Sequence, residues 1–542
     1  MLVLLPMSFS HLHLHTEYSV LDGVCSPKEI LTYAKECGQK SIAITDHGAM
    51  YGVPSFVREA KAVGLKPIIG CEAYVYDDFE FDNRGRDTKK SNHITLLAMN
   101  KTGYSNLSKL VTKAHLEGFY RNPRINLNWL AERNEGIIVL SGCIQGILSQ
   151  AILDGNLNHA RKRMNWFKEV FGKRFFLEVM NHEIPEERLI AKQLFEYGKK
   201  EKIKVVATND VHFLKKGDHL VQDLLLAIKS NQLIDDPDRW RAKYPNLHLT
   251  TESEMLELFK ENPESVSNTT LVSEMVEDFS EIFSNPDPIF PIVEVPKKYK
   301  NSSDYLTDLA MTGLKKRYEG NIKEAEERLE KELSVIKDLG YPDYFLAVRD
   351  YVQYAKDNDI PVGPGRGSGA GCLVAYCLDI TTIDPLKYGL LFERFLNKGR
   401  KSLPDIDMDF CTLGRDDVIR YIREKNGKKK VSQIITFNRL KGKLAFRDIA
   451  RLSAIPEPRF ALVAKALSDG EKLNDALKNN IIKDIVRRDV DCEEALKKAM
   501  LIEDTIRNKG VHAAGLVISN QNLSQMVPLA KGKNGEVVTQ YE

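Results

Sequence analysis

From Ser8 to about Phe213, short and nearly continuous apolar runs alternate with stretches whose apolar residues recur every three to four positions. The runs SIAIT, KPIIG, HITLLAM, GIIVLSG, FFLEVM and KVVATND predict strands buried on both faces, and the stretches between them predict amphipathic helices. That alternation predicts parallel strands with helical crossovers, and so a barrel-like α/β domain. The first helix has the clearest start: Ser26 can cap it, Pro27 suits its first position and Glu29 can close a capping box. Between Ser284 and Pro296 the run SNPDPIFPIVEVP cannot sustain a helix and predicts a linker between domains. Beyond it, EAEERLEKELSVIKDLG predicts a helix that buries Leu329, Leu333 and Ile336.

Composition narrows the class. A chain of 542 residues makes three or four domains at ~100–200 residues each. With 43% hydrophobic and 28% charged residues it has the balance of a globular protein, which excludes a disordered chain. A net charge of +2 leaves any nucleic-acid binding to local basic patches. The eight cysteines contain no C-x-x-C pair and predict free thiols in a reducing compartment. The opening MLVLLPMSFS has no basic leader segment, no small-residue cleavage site and too little length to span a bilayer, so the expected location is the cytoplasm, with no membrane partner.

Residues with metal-ligand chemistry recur at the ends of the predicted strands. His13 and His15 stand two apart, so a strand would point both imidazoles to one face. His47 follows a strand in TDHG, Glu72 ends IIGCE, His93 opens HITLLA, Cys143 closes VLSGC, and Asp210 and His212 form a second two-apart pair. Asp22 adds a carboxylate in the turn after the first strand. Barrels build sites from loops at the C-terminal ends of strands, so this mixture of N, O and S donors could gather two or three ions such as zinc or manganese. The segments HLHTEYS, TDHG, GCE, HITLLA, SGC and NDVHF resemble, in order and spacing, the polymerase and histidinol phosphatase (PHP) domain family. The resemblance implies a distorted barrel of seven βα units with a trinuclear centre held by His13, His15, Asp22, His47, Glu72, His93, Cys143, Asp210 and His212. It further implies metal-assisted phosphodiester hydrolysis, in a polymerase the removal of nucleotides from a 3′ end. His11 shares the expected strand face of His13 and His15, and the T-E-Y-S that follows favours the 13 and 15 register.

A second group of motifs lies past the linker. In VGPGRGSGAGCLVAYCL, glycines alternate with Arg366 and Ser368 ahead of an apolar helical run near Cys372, a combination suited to binding phosphate. In LPDIDMDF, Asp405, Asp407 and Asp409 recur at period two. Three carboxylates on one strand face repel one another without a cation, and magnesium takes such oxygen ligands; the flanking apolar residues argue against a solvated acidic turn. These motifs, with YPDYFLAVRDYV, DPLKYGLLFERF, VSQIITFNRLKGKLAFRDIAR and RNKGVHAAGLVIS, resemble the bacterial polymerase III α family, the C-family replicases, across essentially the whole chain.

That resemblance implies an α/β multidomain protein: a PHP barrel over 1–283, the first part of an α+β polymerase palm over 284–411, an inserted and mostly helical thumb over 412–505, and a palm continuation over 506–542. It implies that Asp405 and Asp407 hold magnesium, that Arg366, Gly367 and Ser368 contact the triphosphate, and that Lys443 and Arg447 contact DNA. Asp409 is a less direct candidate ligand, and His512 matches a motif near the active site without a chemical step of its own. The implied partners are primer–template DNA, deoxynucleoside triphosphates, a sliding clamp, its loader and a proofreading subunit. The sequence stops at VVTQYE, ahead of the third palm aspartate that the family uses, so the expectation is a chain unable to polymerise alone unless the C-terminal remainder joins it. The alternatives are an autonomous phosphoesterase and a metal-stabilised scaffold.

Overall fold

The computed structural model describes residues 9–76, 91–242, 246–284, 289–318, 322–397, 399 and 404–542. The start of the opening apolar run and linker residues 285–288 lie outside these. Two compact units divide the chain: Met1–Pro286 with Gln433–Gly515 and Ser524–Glu542, and Asp287–Ser432 with Leu516–Leu523. Among the described residues no helix is long and apolar enough to cross a membrane.

In the first unit the strands β1 (Ser41–Ile44), β2 (Lys66–Tyr76), β3 (Asn92–Ala98), β4 (Phe119–Tyr120), β5 (Asn122–Asn126), β6 (Ile137–Leu140), β7 (Phe175–Val179) and β8 (Val205–Ala207) form one curled sheet. Its order is β4-β5-β2-β3-β6-β7-β8, with β1 also on β2. All six predicted apolar runs are strands, and the capping box of Ser26 and Glu29 opens the helix Pro27–Glu36 as expected. The all-parallel expectation needs correction. β3 runs antiparallel to both neighbours, its Thr95 facing Glu72 of β2 and its Leu96 facing Val139 of β6. An apolar run has no direction, since a strand covered on both faces needs the same residues whichever way it runs.

The segment that carries His13 and His15 forms no regular strand, yet it is hydrogen-bonded on both sides. Ala43 N donates to His11 O and Thr45 N to Leu14 O, each at 2.8 Å, while His15 N donates to Val211 O at 2.7 Å. It therefore lies between β1 and the stretch after β8, with Leu12 and Leu14 fully buried in the apolar core beside Ile42, Ile69, Leu97 and Val139.

Residues 433–515 fall in the first unit because helices Gly442–Leu452 and Val490–Ile502 share a core with helix His219–Ser230, through Phe446, Ile449 and Leu496 against Leu224, Leu225 and Ile228. The strands β9 (Val431–Arg439), β10 (Ile506–Ile518), β11 (Leu529–Lys531) and β12 (Val537–Thr539) make a second sheet in the order β10-β9-β12-β11. In the second unit, helices Ser302–Arg317, Lys323–Asp338 and Pro342–Asp357 pack around Leu306, Leu314, Leu329, Ile336, Phe345 and Phe392. Leu329 and Ile336 are fully buried there and Leu333 packs at the edge, on the face the sequence predicts.

Candidate metal centre and nucleotide loop

All nine candidate ligands of the first unit converge. Glu72, buried at the end of the β1–β2 pairing, is their hub. Its Oε1 lies 2.7 Å from His93 Nδ1, 3.3 Å from Cys143 Sγ and 3.4 Å from His13 Nε2. Its Oε2 lies 2.6 Å from His47 Nδ1 and 3.7 Å from His15 Nε2. Asp210 Oδ1 stands 3.3 Å from His13 Nε2 and 3.2 Å from His15 Nε2. Asp22 faces the other side of the cluster, 3.6 Å from His47 Nε2 and 3.7 Å from His212 Nε2. Three overlapping groups have ligand atoms close enough to share an ion: His13, His15 and Glu72; Glu72, His93 and Cys143; His15, His47 and His212.

Three atoms test whether a metal fits. Nε2 of His13, Nε2 of His15 and Oδ1 of Asp210 are buried with no hydrogen-bond partner. A buried polar atom without a partner costs about 1–3 kcal/mol, so three aimed at one another are sensible only around a cation. The donor set of imidazole, carboxylate and thiol suits zinc or manganese.

Protonation differs from donor to donor. Burial and the neighbouring His47 and His212 lower the pKa of His15 to about 3, which keeps it a neutral donor. Burial works against charge on His47, but Glu72 and Asp22 outweigh it and push the imidazole up to about 10, so an ion binding there must displace its proton. Burial likewise opposes charge on Glu72, yet His93 and His47 hold its carboxyl well below the usual range. Burial and the carboxylates of Glu72 and Asp210 push the Cys143 thiol far up, so an ion binding there must displace its proton.

The backbone is bent to reach this arrangement. Asp210 itself sits at φ 46 and Leu21, next to Asp22, at φ 58, both in the left-handed region that costs most side chains energy. Gly23 is required because a Cβ there would stand 2.0 Å from Thr16 O. His11 stays out of the cluster, its Nε2 bonded to Thr250 O at 2.9 Å.

The sequence reading missed the groups that aim the ligands. Glu178, wholly buried on β7, accepts from His13 Nδ1 at 2.8 Å, Thr208 Oγ1 at 2.7 Å, Thr95 Oγ1 at 3.0 Å and Gly142 N at 3.0 Å. This fixes the His13 ring with Nε2 toward the centre, the usual role of a carboxylate behind a metal-binding histidine. Ser19 bonds His15 Nδ1 at 3.0 Å and donates to the buried Asp46 at 2.7 Å. A lone Glu inside the apolar run FFLEVM was the available signal, since an uncompensated buried carboxylate is too costly to be structural filler.

In the second unit the glycine loop and the aspartate segment lie side by side. Arg366 bridges Asp407 and Val362 bridges Phe410, both antiparallel, and Gly363 N donates to Asp409 O at 2.8 Å. Arg366 pairs with Asp407 Oδ2 at 3.2 Å and Asp409 Oδ2 at 3.3 Å. A Cβ on Gly367, whose φ is 67, would stand 3.2 Å from Asp407 Oδ2, so glycine keeps the loop close to the carboxylate.

Two expectations about this loop change. The carboxylates are not shielded by their apolar neighbours: Asp405 is exposed, and the side chains of Asp407 and Asp409 are 35% and 61% exposed. Ile406 and Met408 instead pack the opposite way, into the helical core. The helix start after the loop is also not open to phosphate. Buried Glu332 accepts from Val374 N at 3.0 Å and from Cys372 Sγ at 3.3 Å, and it pairs with Arg328 Nε at 2.6 Å. Arg328 in turn donates to Gly371 O at 3.1 Å, so the pair braces the end of the loop. Glu332→Ala is expected to destabilise this unit by roughly 2–4 kcal/mol, read as a lowered thermal transition, because it strands a half-buried guanidinium.

Residues 11–182 match the model of the PHP domain, and residues 304–542 match that of the bacterial DNA polymerase III alpha NTPase domain. DNA polymerase III subunit alpha of Borreliella burgdorferi is 42% identical over 98% of this chain and 47% of its own length. The chain belongs to the DNA polymerase III α family. The same subunit of Treponema pallidum is 40% identical over 99% of this chain and 46% of its own, and that of Thermus aquaticus 37% over 99% and 49%. The chain thus spans about half the length of the curated relatives it matches. A solved metal-dependent phosphoesterase from Bifidobacterium adolescentis is 15% identical over 47% of this chain and 97% of its own, with a TM-score of 0.24, too low to argue from.

The basic residues that follow the aspartate segment of this polymerase III α chain divide between the two units. Lys428, Lys429 and Lys430 belong to the second unit, and Lys441, Lys443 and Arg447 to the first. Lys443 lies 3.1 Å from Asp469 and Arg447 3.9 Å from Glu457. His512 on β10 accepts at Nδ1 from Gly515 N at 2.7 Å and Ala514 N at 3.1 Å, which shapes its own turn.

Proposed function

We propose that the chain contributes the nucleotide-binding carboxylates of a bacterial replicative DNA polymerase, and that its residues 1–283 form a metal-dependent phosphodiesterase that removes nucleotides from a 3′ end. The observation that carries the phosphodiesterase reading is the convergence of nine donors with three buried atoms left without a partner. In this reading residues 1–283 are the PHP domain, a distorted barrel of seven βα units, 284–411 and 506–542 are palm, and 412–505 is thumb.

His13, His15, Glu72 and Asp210 would hold one ion, Glu72 with His93 and Cys143 a second, and Asp22, His47 and His212 a third. Zinc or manganese bound there supplies charge stabilisation for the phosphoryl oxygens and a nucleophilic water at neutral pH. Glu178 keeps His13 in the tautomer that points Nε2 inward, and buried His15 stays neutral. His47 and His93, each just under a fifth exposed, mark the side from which a chain end would approach.

At the glycine loop, Asp405 and Asp407 would bind magnesium, with Asp409 beside them. Their exposure leaves room for phosphate oxygens among the ligands. Arg366 now neutralises Asp407 and Asp409; a bound triphosphate, with Gly367 and Ser368 against it, takes over that guanidinium. Lys443 and Arg447 would exchange their acidic partners for DNA phosphates. Primer–template DNA, deoxynucleoside triphosphates, sliding clamp, loader and proofreading subunit are the partners of this reading, in the cytoplasm.

Hydrolysis of bis(p-nitrophenyl) phosphate by the purified chain tests the first unit. We expect turnover with Mn²⁺ or Zn²⁺ and none with chelator. Glu178→Gln should weaken metal binding by roughly 10–100-fold in calorimetric titration, since it loosens the His13 ring without removing a ligand. Ion binding without hydrolysis would instead favour a scaffold.

A further inference from the structure

Among the described residues, Asp22 is the one candidate ligand of the cluster paired with a lysine. Each of its oxygens is shared: Oδ2 lies 3.6 Å from His47 Nε2 and 2.8 Å from Lys229 Nζ, and Oδ1 lies 3.7 Å from His212 Nε2 and accepts from Gln222 Nε2 at 3.1 Å. Lys229 and Gln222 stand on helix His219–Ser230, two turns apart on one side. Leu224, Leu225 and Ile228 lock that helix into the core shared with helices Gly442–Leu452 and Val490–Ile502. The lysine is thus delivered by a fixed element. The Asp22 loop is tied to the same helical region, with Leu21 and Val24 against that core and Glu17 paired with Arg439 at 2.6 Å.

Among the described residues the other groupings have no such neighbour: His13 is backed by a carboxylate, and Glu72 receives imidazoles and a thiol. We propose that Lys229 is a built-in competitor that makes the Asp22–His47–His212 position the weakest of the three ion sites and so sets its occupancy. The inference rests on the metal-centre reading above. A unit positive charge within 3 Å of a ligand oxygen repels a divalent ion in the same carboxylate's field, and it neutralises part of the charge that draws the ion in. Half exposure of the lysine screens but does not remove this effect. Positions with only imidazole, thiol and carboxylate around them keep their full attraction.

Mn²⁺ titration of the metal-stripped full chain, followed by calorimetry and by metal analysis after dialysis, tests this. The expected pattern for the native chain is two tighter ions and one weaker. Lys229→Met should tighten only the weakest class, on the order of tenfold, while Lys229→Arg keeps native behaviour. Asp22→Asn should abolish that class, and the double variant with Lys229→Met should show no gain. Circular dichroism checks that the half-exposed substitution leaves the fold intact. Unchanged or weaker third-ion binding in Lys229→Met overturns the inference and leaves the metal centre standing. A native chain that binds no Mn²⁺ overturns both.

Discussion

Glu72→Ala is expected to remove bound metal from most of the cluster and to abolish phosphodiester hydrolysis. Its two oxygens reach His13, His15, His47, His93 and Cys143 at 2.6–3.7 Å, so a single substitution takes a donor from two of the three groupings. Loss of a mere supporting partner costs roughly 10–100-fold in such sites, and loss of the shared ligand should exceed that. Metal analysis of the dialysed variant checks the first part, expecting no more than one retained ion, and turnover of a phosphodiester checks the second. Full metal content in Glu72→Ala would mean that the ions bind elsewhere.

In a polymerase completed by its C-terminal remainder, Asp407→Ala is expected to abolish nucleotide incorporation, by on the order of 10²–10³-fold or more, because it would remove both a proposed magnesium ligand and the partner that orients Arg366. Arg366 spans Asp407 and Asp409, and Gly367 is held against Asp407, so the substitution also loosens the glycine loop. Equilibrium binding of magnesium–dATP should fall in the same variant, while metal-dependent hydrolysis stays at its native level. Asp409→Ala, which leaves Asp407 in place, should be the milder change. Equal loss in both would move the ligand assignment from Asp405 and Asp407 to Asp407 and Asp409.

Much of this was legible in the chain because side chains with metal-ligand chemistry stand out against apolar strands. His13, His15, Asp210 and His212 stand out by spacing, and His47, Glu72, His93 and Cys143 by lying at the ends of apolar runs, where the structure gathers them. Strand identity was legible for the same reason that strand direction was not: the burial that makes β3 apolar on both faces is indifferent to its antiparallel pairing. Glu178 announced itself only as a lone carboxylate in an apolar run; its role stayed illegible because its partners are distant in sequence. The exposure of Asp405 and Asp409 was misjudged because period two says which residues share a face, and not which face meets solvent. The grouping of residues 433–505 with the first unit depends on the apolar face of helix His219–Ser230, whose partner no local pattern names.

If the nine converging residues form a catalytic metal centre acting on a 3′ end, an end-labelled primer–template incubated with the purified chain and Mn²⁺ will show it, with and without chelator, beside His13→Ala and Asp405→Ala. Shortening from the 3′ end is expected with the native chain and with Asp405→Ala, and none with His13→Ala or with chelator. Shortening that survives in His13→Ala, or a metal-loaded native chain that leaves the primer intact, would contradict a catalytic centre at these residues.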